Sequence, residues 1–267
     1  MPSTDVMVVI PHHRRVDLLR EAISSVADYP VLVVDDSVGG LSPSAMEDCG
    51  LLGERRSVLR APGTSGFASV ANLGLAAAAR AGFQYALLLN DDTQLDAAGL
   101  ERLLAVMRAD ARVGAVGPVL VGAQGVESAG LSVSLGSTRV RQRTKIPSEP
   151  TRVDALSGAC LLLESSQRFD PGFAFYFEDV DLCARLRAAG KEVVLVPDAR
   201  CHHVGGATVD RRSREAASHA VQGHLRLVGR GWHRRVPVVA FALAQIVRER
   251  GPLERLRGLW DGVRAVS

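Results

Sequence analysis

Two adjacent acid pairs, Asp35-Asp36 and Asp91-Asp92, each follow a short apolar run that reads as a buried β-strand. Carboxylates side by side repel unless a cation or hydrogen-bond donors compensate. A divalent metal on a diphosphate would do so, and a base N–H or ribose hydroxyl would suit the first pair. Capping of the following turn explains one such pair without any ligand. Two pairs at strand ends of one sheet shift the reading toward a nucleotide site, since open parallel sheets bind ligands beyond the carboxyl ends of their strands.

A third acidic group, Glu178-Asp179-Val180-Asp181, opens a helical pattern that carries Arg185 and ends at Gly190. Acids in a first helical turn complement the macrodipole, which accounts for one or two of them. The stretch before it holds Phe169, Phe173, Phe175, Tyr176 and Phe177, half of all Phe and Tyr in the chain. A carboxylate against an apolar wall has a raised pKa and suits general-base work. A fourth group is His202-His203-Val204-Gly205-Gly206-Ala207-Thr208. A histidine there suits a metal or phosphate, and a satisfied loop histidine is the ordinary alternative. Cys201 beside His202 lacks a second ligand pair at zinc spacing.

The elements that position these groups alternate. Continuous apolar runs at Val6–Ile10, Val31–Val34, Tyr85–Leu89 and Val113–Val121 predict strands buried on both faces. Ser57–Arg60 is a shorter strand. Helical spacing covers Val16–Val26, Phe67–Ala81 and Ala97–Ala109. Repeated βαβ implies a mostly parallel central sheet flanked by helices. Val126–Lys145, rich in Gly, Ser and Arg, predicts an irregular hairpin or loop. Ala155–Leu163 reads as a strand, Glu178–Ala189 as a helix and Glu192–Val196 as a strand. From about Ser213 the pattern is helical, with turns at Gly229–Gly231 and Gly251-Pro252.

Composition limits the function. The 267 residues are 47% hydrophobic and 23% charged, which excludes a disordered chain. At 4% aromatic residues, base-stacking platforms are hard to build, and no nucleic-acid partner is expected. Cys49, Cys160, Cys183 and Cys201 form no CxxC pair, so neither a disulfide framework nor a zinc ribbon is expected, and a cytoplasmic setting is. The apolar run at Met7–Ile10 stops at Pro11, so no signal peptide is expected. No stretch reaches the roughly 20 apolar residues of a spanning helix.

These motifs, in this order, resemble a family 2 glycosyltransferase of the GT-A fold, in the bacterial rhamnosyltransferase-like branch. The strand-turn opening corresponds to Pro11-His12-His13-Arg14-Arg15, with Arg14 or its neighbours where the family has Asn. The Val-Asp-Asp element is Val34-Asp35-Asp36-Ser37, and the Asn-x-Gly element is Asn72-Leu73-Gly74. The metal motif is Leu89-Asn90-Asp91-Asp92-Thr93, with Asn90 in place of its first acid. The Glu-Asp-x-Asp-Leu…Arg…Gly motif runs from Glu178 to Gly190, and His-x-Gly-Gly-x-Thr from His203 to Thr208.

The resemblance implies inverting transfer of a sugar from a nucleoside diphosphate sugar to an acceptor hydroxyl. The donor would be a dTDP- or UDP-sugar, dTDP-rhamnose among them. The acceptor would be a lipid-linked glycan or a small molecule. Asp179 is the expected base, with Glu178 in reserve. Pro11, Asp35, Asp36, Asn72, Asn90, Asp91 and Gly158 are expected around the nucleotide sugar, and Asp92 and His203 on Mg²⁺ or Mn²⁺. The expected organisation is a catalytic domain over residues 1–208, its nucleotide-sugar half about 1–121 and its acceptor half 122–208, followed by a helical extension over 209–267. A nucleotidyltransferase and a catalytically silent nucleotide-sugar-binding scaffold stay open. The first usually needs a glycine-rich phosphate loop after the opening strand, where this chain has no glycine.

The net charge of +3 hides an asymmetry. Residues 200–267 hold 13 arginines and 5 acids, so the rest of the chain is acidic. Arg226, Arg230, Arg234 and Arg235 surround Trp232, and an apolar run follows from Val236. A basic, partly amphipathic tail suits an anionic membrane face. A tail packed on the domain, or a homodimer contact, would bury the same apolar residues.

Overall fold

The structure is a computed structural model that describes residues 5–63, 66–96, 98–134, 139–173, 175–204, 213–229, 232–248 and 253–266. Gly205–Thr208, the expected domain boundary after residue 208, Arg230 and the Gly251-Pro252 turn lie outside the described residues, as do the side chains of Trp232 and Arg234.

The first half runs β1 (Val6–His12), α1 (Val16–Ser25), β2 (Val31–Asp35), α2 (Pro43–Asp48), β3 (Arg56–Arg60), α3 (Phe67–Arg80), β4 (Tyr85–Leu89), β5 (Thr93–Leu95), α4 (Gly99–Ala109) and β6 (Val113–Gly122). The second half runs β7 (Gly125–Ser128), β8 (Leu131–Ser134), β9 (Arg139–Gln142), β10 (Thr151–Arg152), β11 (Cys160–Glu164), α5 (Glu178–Ala188), β12 (Glu192–His203), α6 (Arg214–Val228), α7 (Trp232–Arg248) and α8 (Leu253–Arg264).

The main sheet has the order β10-β12-β6-β11-β4-β1-β2-β3, with β5 on β12 and β7 on β6. Strand β1 is parallel to β2 and β4, β2 to β3, and β6 to β12. Strand β11 lies between β4 and β6 and is antiparallel to both. That reversal brings the start of β11 to the same edge as the end of β4, with Cys160 opposite Leu89.

Two local expectations are corrected. The apolar run at Ala155–Leu163 is not one strand. Ala155 makes only an isolated bridge to Leu131, and β11 begins at Cys160 after the Ser157-Gly158-Ala159 turn. Strand β12 does not stop at Val196. After a shift in register before Arg200, where Pro197 has no N–H to give the ladder, it continues to His203. The Val126–Lys145 stretch supplies β7 along β6 and the separate β8–β9 pair.

Alternation of side chains across β1 builds two cores. Val6, Val8 and Ile10 pack with Leu19 and Ile23 of α1 and Leu103 and Leu104 of α4. Met7 and Val9 pack with Val70, Ala71 and Leu75 of α3 on the other face, where Val180, Leu182 and Leu186 of α5 also lie. Each fully buried leucine of this kind contributes about 1.5–3 kcal/mol. Gly74 sets how close α3 sits to the sheet, because a Cβ there would overlap Val9 Cγ1.

The C-terminal helices have a core of their own, formed by Val221, Leu225, Val228, Val238, Ile246 and Leu259. Gly258 and Gly262 let α8 lie directly on α6, where a Cβ would overlap the Arg214 and Ser218 carbonyl oxygens. Arg235 donates to the Gly229 and Val266 carbonyls, each at 3.0 Å, so it closes the tail. Among the described residues no helix is long and apolar enough to cross a membrane.

Candidate active site at the carboxyl edge of the sheet

Because β1, β2 and β4 are parallel, His12, Asp35-Asp36 and Asn90-Asp91-Asp92 emerge on one edge. The reversed β11 delivers Gly158 and Ala159 to that edge, and the end of β12 delivers His203 beside Thr93. Asn90 donates its N–H to the Ala159 carbonyl at 2.9 Å. The neighbouring Gly158 N–H donates to Asp179 Oδ2 at 2.9 Å. Two consecutive residues thus tie the second acid pair to the acids that open α5.

Asp35 is consumed within the protein. It accepts from the Ser37 and Leu41 N–H groups at 2.9 and 2.7 Å, from Arg60 at 2.9 Å and from the Ser37 hydroxyl. Burial works to raise its pKa, but these donors outweigh burial and hold it below the usual carboxylate range. Asp36 is buried beside it, and its carbonyl accepts from His13 Nδ1 at 3.0 Å. Pro11 is half-buried in β1, and Arg14 lies exposed in the turn after it.

Asp91 is buried and held by His12, whose Nδ1 lies 2.7 Å from Asp91 Oδ2. Histidine 12 is 2% exposed, and its Nε2 has no hydrogen-bond partner. Asp92 Oδ1 is also buried without a hydrogen bond, 3.6 Å from His203 Nε2. The other ring nitrogen of His203 lies 2.8 Å from Glu127 Oε2 on β7. Burial raises the Asp92 pKa, against the opposing pull of His203.

This donor set fits a divalent cation. A carboxylate oxygen without a partner faces an imidazole whose far nitrogen is oriented by a second carboxylate, a common arrangement behind metal-ligating histidines. Among the described residues no group of three or more His, Cys, Asp or Glu side chains forms a complete cage. Two protein ligands suffice where substrate phosphates complete the coordination.

At the other end of the edge, α5 begins from a strained turn. Tyr176 and Phe177 have φ of 68° and 70°, the left-handed region that side chains avoid. Such residues cost about 1–3 kcal/mol each and persist only where surrounding structure imposes them. The turn sets the first helical residues facing Gly158. Glu178 is 8% exposed, its Oε2 lacks a hydrogen bond, and burial followed by the nearby Asp179 pushes its pKa up to about 8. Asp179 accepts from the Gly158 and Val180 N–H groups at 2.9 and 2.8 Å. Burial still raises its pKa against those two donors.

The sequence model described as Glycosyl transferase family 2 matches residues 7–163, more than half of the chain and nearly all of strands β1 to β11. The chain belongs to that family. An N-acetylglucosaminyl-diphospho-decaprenol L-rhamnosyltransferase of Mycobacterium tuberculosis (strain CDC 1551 / Oshkosh) is 32% identical over 165 residues, 52% of each chain. The "Uncharacterized protein y4gI" of Sinorhizobium fredii (strain NBRC 101917 / NGR234) is 25% identical over 225 residues, 74% of this chain and 24% of that one. The chain thus spans about half the length of the mycobacterial relative and about a quarter of the rhizobial one.

Solved structures share the GT-A architecture. GalNAc-T7, crystallised with UDP, GalNAc and Mn²⁺, superimposes with a TM-score of 0.67 at 17% identity, over 84% of this chain and 47% of that one. S. aureus TarS residues 1–349 with UDP-GlcNAc gives 0.59 at 13% identity, over 99% and 82%.

In this family 2 chain, two of the residues expected around the nucleotide sugar serve as support. Asn72 donates to the Phe169 carbonyl at 2.9 Å and accepts from the Phe169 N–H at 2.8 Å, so its amide fastens the aromatic stretch to α3. Gly158 has Phe67 and the Asp179 Cβ at ordinary van der Waals distance from where its own Cβ would lie, so it shapes the floor beside the acids. His12 and Glu127 escape the sequence reading. The usable signal for His12 is its place two residues beyond Ile10, which puts it on the buried face of β1.

Proposed function

We propose that this chain is an inverting glycosyltransferase that moves a sugar from a nucleoside diphosphate sugar to an acceptor hydroxyl. What supports this most is the pair of backbone hydrogen bonds at Ala159 and Gly158, which sets the Asp91–Asp92 and Glu178–Asp179 acids along one edge. The similarity to a rhamnosyltransferase supports dTDP-rhamnose as first donor to test and a lipid-linked glycan as acceptor. Solved relatives crystallised with UDP or UDP-GlcNAc support UDP-sugars as the second donor class.

Asp179 takes the proton of the acceptor hydroxyl. The hydroxyl oxygen then bonds to the anomeric carbon, and the bond from that carbon to the diphosphate breaks on the opposite face, its electron pair leaving with the nucleoside diphosphate. Glu178 keeps its own proton at neutral pH, because burial and the adjacent carboxylate oppose its ionisation. Two neighbouring acids with unequal environments then share the work, one as base and one as hydrogen-bond donor to a sugar hydroxyl. Asp36 and Asn90 line the nucleotide side, while Asp35 and Asn72 act by holding the loops around it. Asp92 and His203 would hold Mg²⁺ or Mn²⁺, which when bound offsets charge on the departing diphosphate.

The tail supports a peripheral membrane contact, as a lipid-linked acceptor would need. Val236, Phe241, Leu253 and Trp260 stand exposed on its basic helices. Co-sedimentation with anionic liposomes that is lost in Phe241→Ser/Trp260→Ser would support that contact. Equal sedimentation would remove it.

Release of nucleoside diphosphate from a panel of dTDP- and UDP-sugars, with and without Mg²⁺ or Mn²⁺, tests the function. Sugar-dependent release supports it. Pyrophosphate exchange would indicate a nucleotidyltransferase instead, and no release with any donor a binding scaffold.

A further inference from the structure

Neither of the two left-handed residues before α5 is a glycine. Phe177 is the residue before the helix, and its side chain makes no capping hydrogen bond. Something outside must impose the two left-handed residues. That something is α6, which lies more than 30 residues further along the chain.

The contacts fall along one stripe of α6. His219, Gly223 and Arg226 recur at i, i+4 and i+7, and His224 adjoins them. The His219 ring stacks on Phe175, with centroids 6.1 Å apart and planes 11° apart. The His224 ring stacks on Phe177 at 4.9 Å and 22°. Between them, Gly223 presents bare backbone to the turn. A Cβ at 223 would overlap the Tyr176 carbonyl oxygen and lie 3.1 Å from Phe177 Cδ2. Further along, the Arg226 guanidinium lies against Gly172. The opposite side of α6 is braced by α8 through the close approaches at Gly258 and Gly262. The helix is therefore held from behind and pressed against Phe175, Tyr176 and Phe177.

We infer that α6 is a positioning element for the α5 acids: Gly223 and His224 hold Tyr176 and Phe177 left-handed and so aim Glu178 and Asp179 at the cleft. This gives the basic tail a task at the reaction centre, separate from any membrane contact. The catalytic half of the inference rests on the glycosyltransferase reading, while the conformational half does not.

Hydrogen exchange of the full-length protein, read on peptides covering residues 175–181 and, as reference, 85–95, tests both halves alongside turnover. Gly223→Ala is expected to speed exchange at 175–181 by about 10-fold or more and to leave 85–95 unchanged. In the same variant kcat is expected to fall roughly 10–100-fold at unchanged KM for whichever dTDP- or UDP-sugar the wild type consumes, the cost of an angstrom-scale misplacement. His224→Ala is expected to act in the same direction, and His224→Phe, which keeps the stack, to restore both readouts. If Gly223→Ala does not fold, the two His224 variants decide alone. Wild-type exchange at 175–181 in Gly223→Ala or His224→Ala overturns the inference. So does a loosened turn with wild-type kcat. If the wild type consumes no nucleotide sugar, the function reading fails, while the exchange arm still shows whether α6 holds the turn.

Discussion

Gly158 donates its backbone N–H to Asp179 Oδ2 at 2.9 Å, and the residue after it accepts from Asn90. One turn thus aligns the carboxylate proposed as the base with the Asn90-Asp91-Asp92 motif. The relationship depends on β11 running antiparallel between β4 and β6. Only that direction places the start of β11, rather than its end, at the carboxyl edge of the parallel strands.

Glu178 gives stability a pH dependence of defined sign. Its ordinary pKa of 4.5 rises to about 8 in the fold, so the folded protein holds that proton more tightly than the unfolded chain. The stabilisation is complete below about pH 4.5 and is lost as pH rises toward about 8. Thermal melts of wild type and Glu178→Gln across that range should show a steeper decline in the wild type. Parallel declines would contradict the shift.

The His203–Glu127 contact predicts a graded effect on metal use. Glu127→Gln should weaken activation by Mn²⁺ about 10–100-fold, the usual cost of losing an outer-shell partner. His203→Ala should weaken it further. A Mn²⁺ titration of nucleoside diphosphate release reads both, and an unchanged titration in both would remove His203 from the metal site.

Asn72 predicts a loss of stability. Asn72→Ala removes two hydrogen bonds and leaves the Phe169 main chain without them, worth about 1–3 kcal/mol. Urea unfolding at constant slope measures it. A loss below a few tenths would show that Phe169 is held by packing alone, including its edge-on contact with Phe67.

The continuous apolar runs of β1, β2 and β4 made the parallel core legible, since strands buried on both faces need no alternation. The direction of β11 was not legible, because an apolar run carries no sign of which way it enters a sheet. The pairing of His12 with Asp91 joins residues 79 apart, and that of Asn72 with Phe169 joins residues 97 apart. Local patterns cannot report either. The acids of the site were visible because their types and spacing carry the chemistry. What aims them was hidden, because Tyr176 and Phe177 adopt a backbone their residue types disfavour, and the restraint comes from a helix that reads only as an amphipathic tail.

The proposed mechanism depends most on Asp179. The direct measurement is turnover and nucleotide binding by Asp179→Asn beside wild type, using the nucleotide sugar the wild type consumes. If Asp179 is the base, kcat falls about 10²–10⁴-fold, the range for a lost general base, while calorimetry shows nucleotide affinity unchanged within a factor of about two. Wild-type turnover by Asp179→Asn would contradict it.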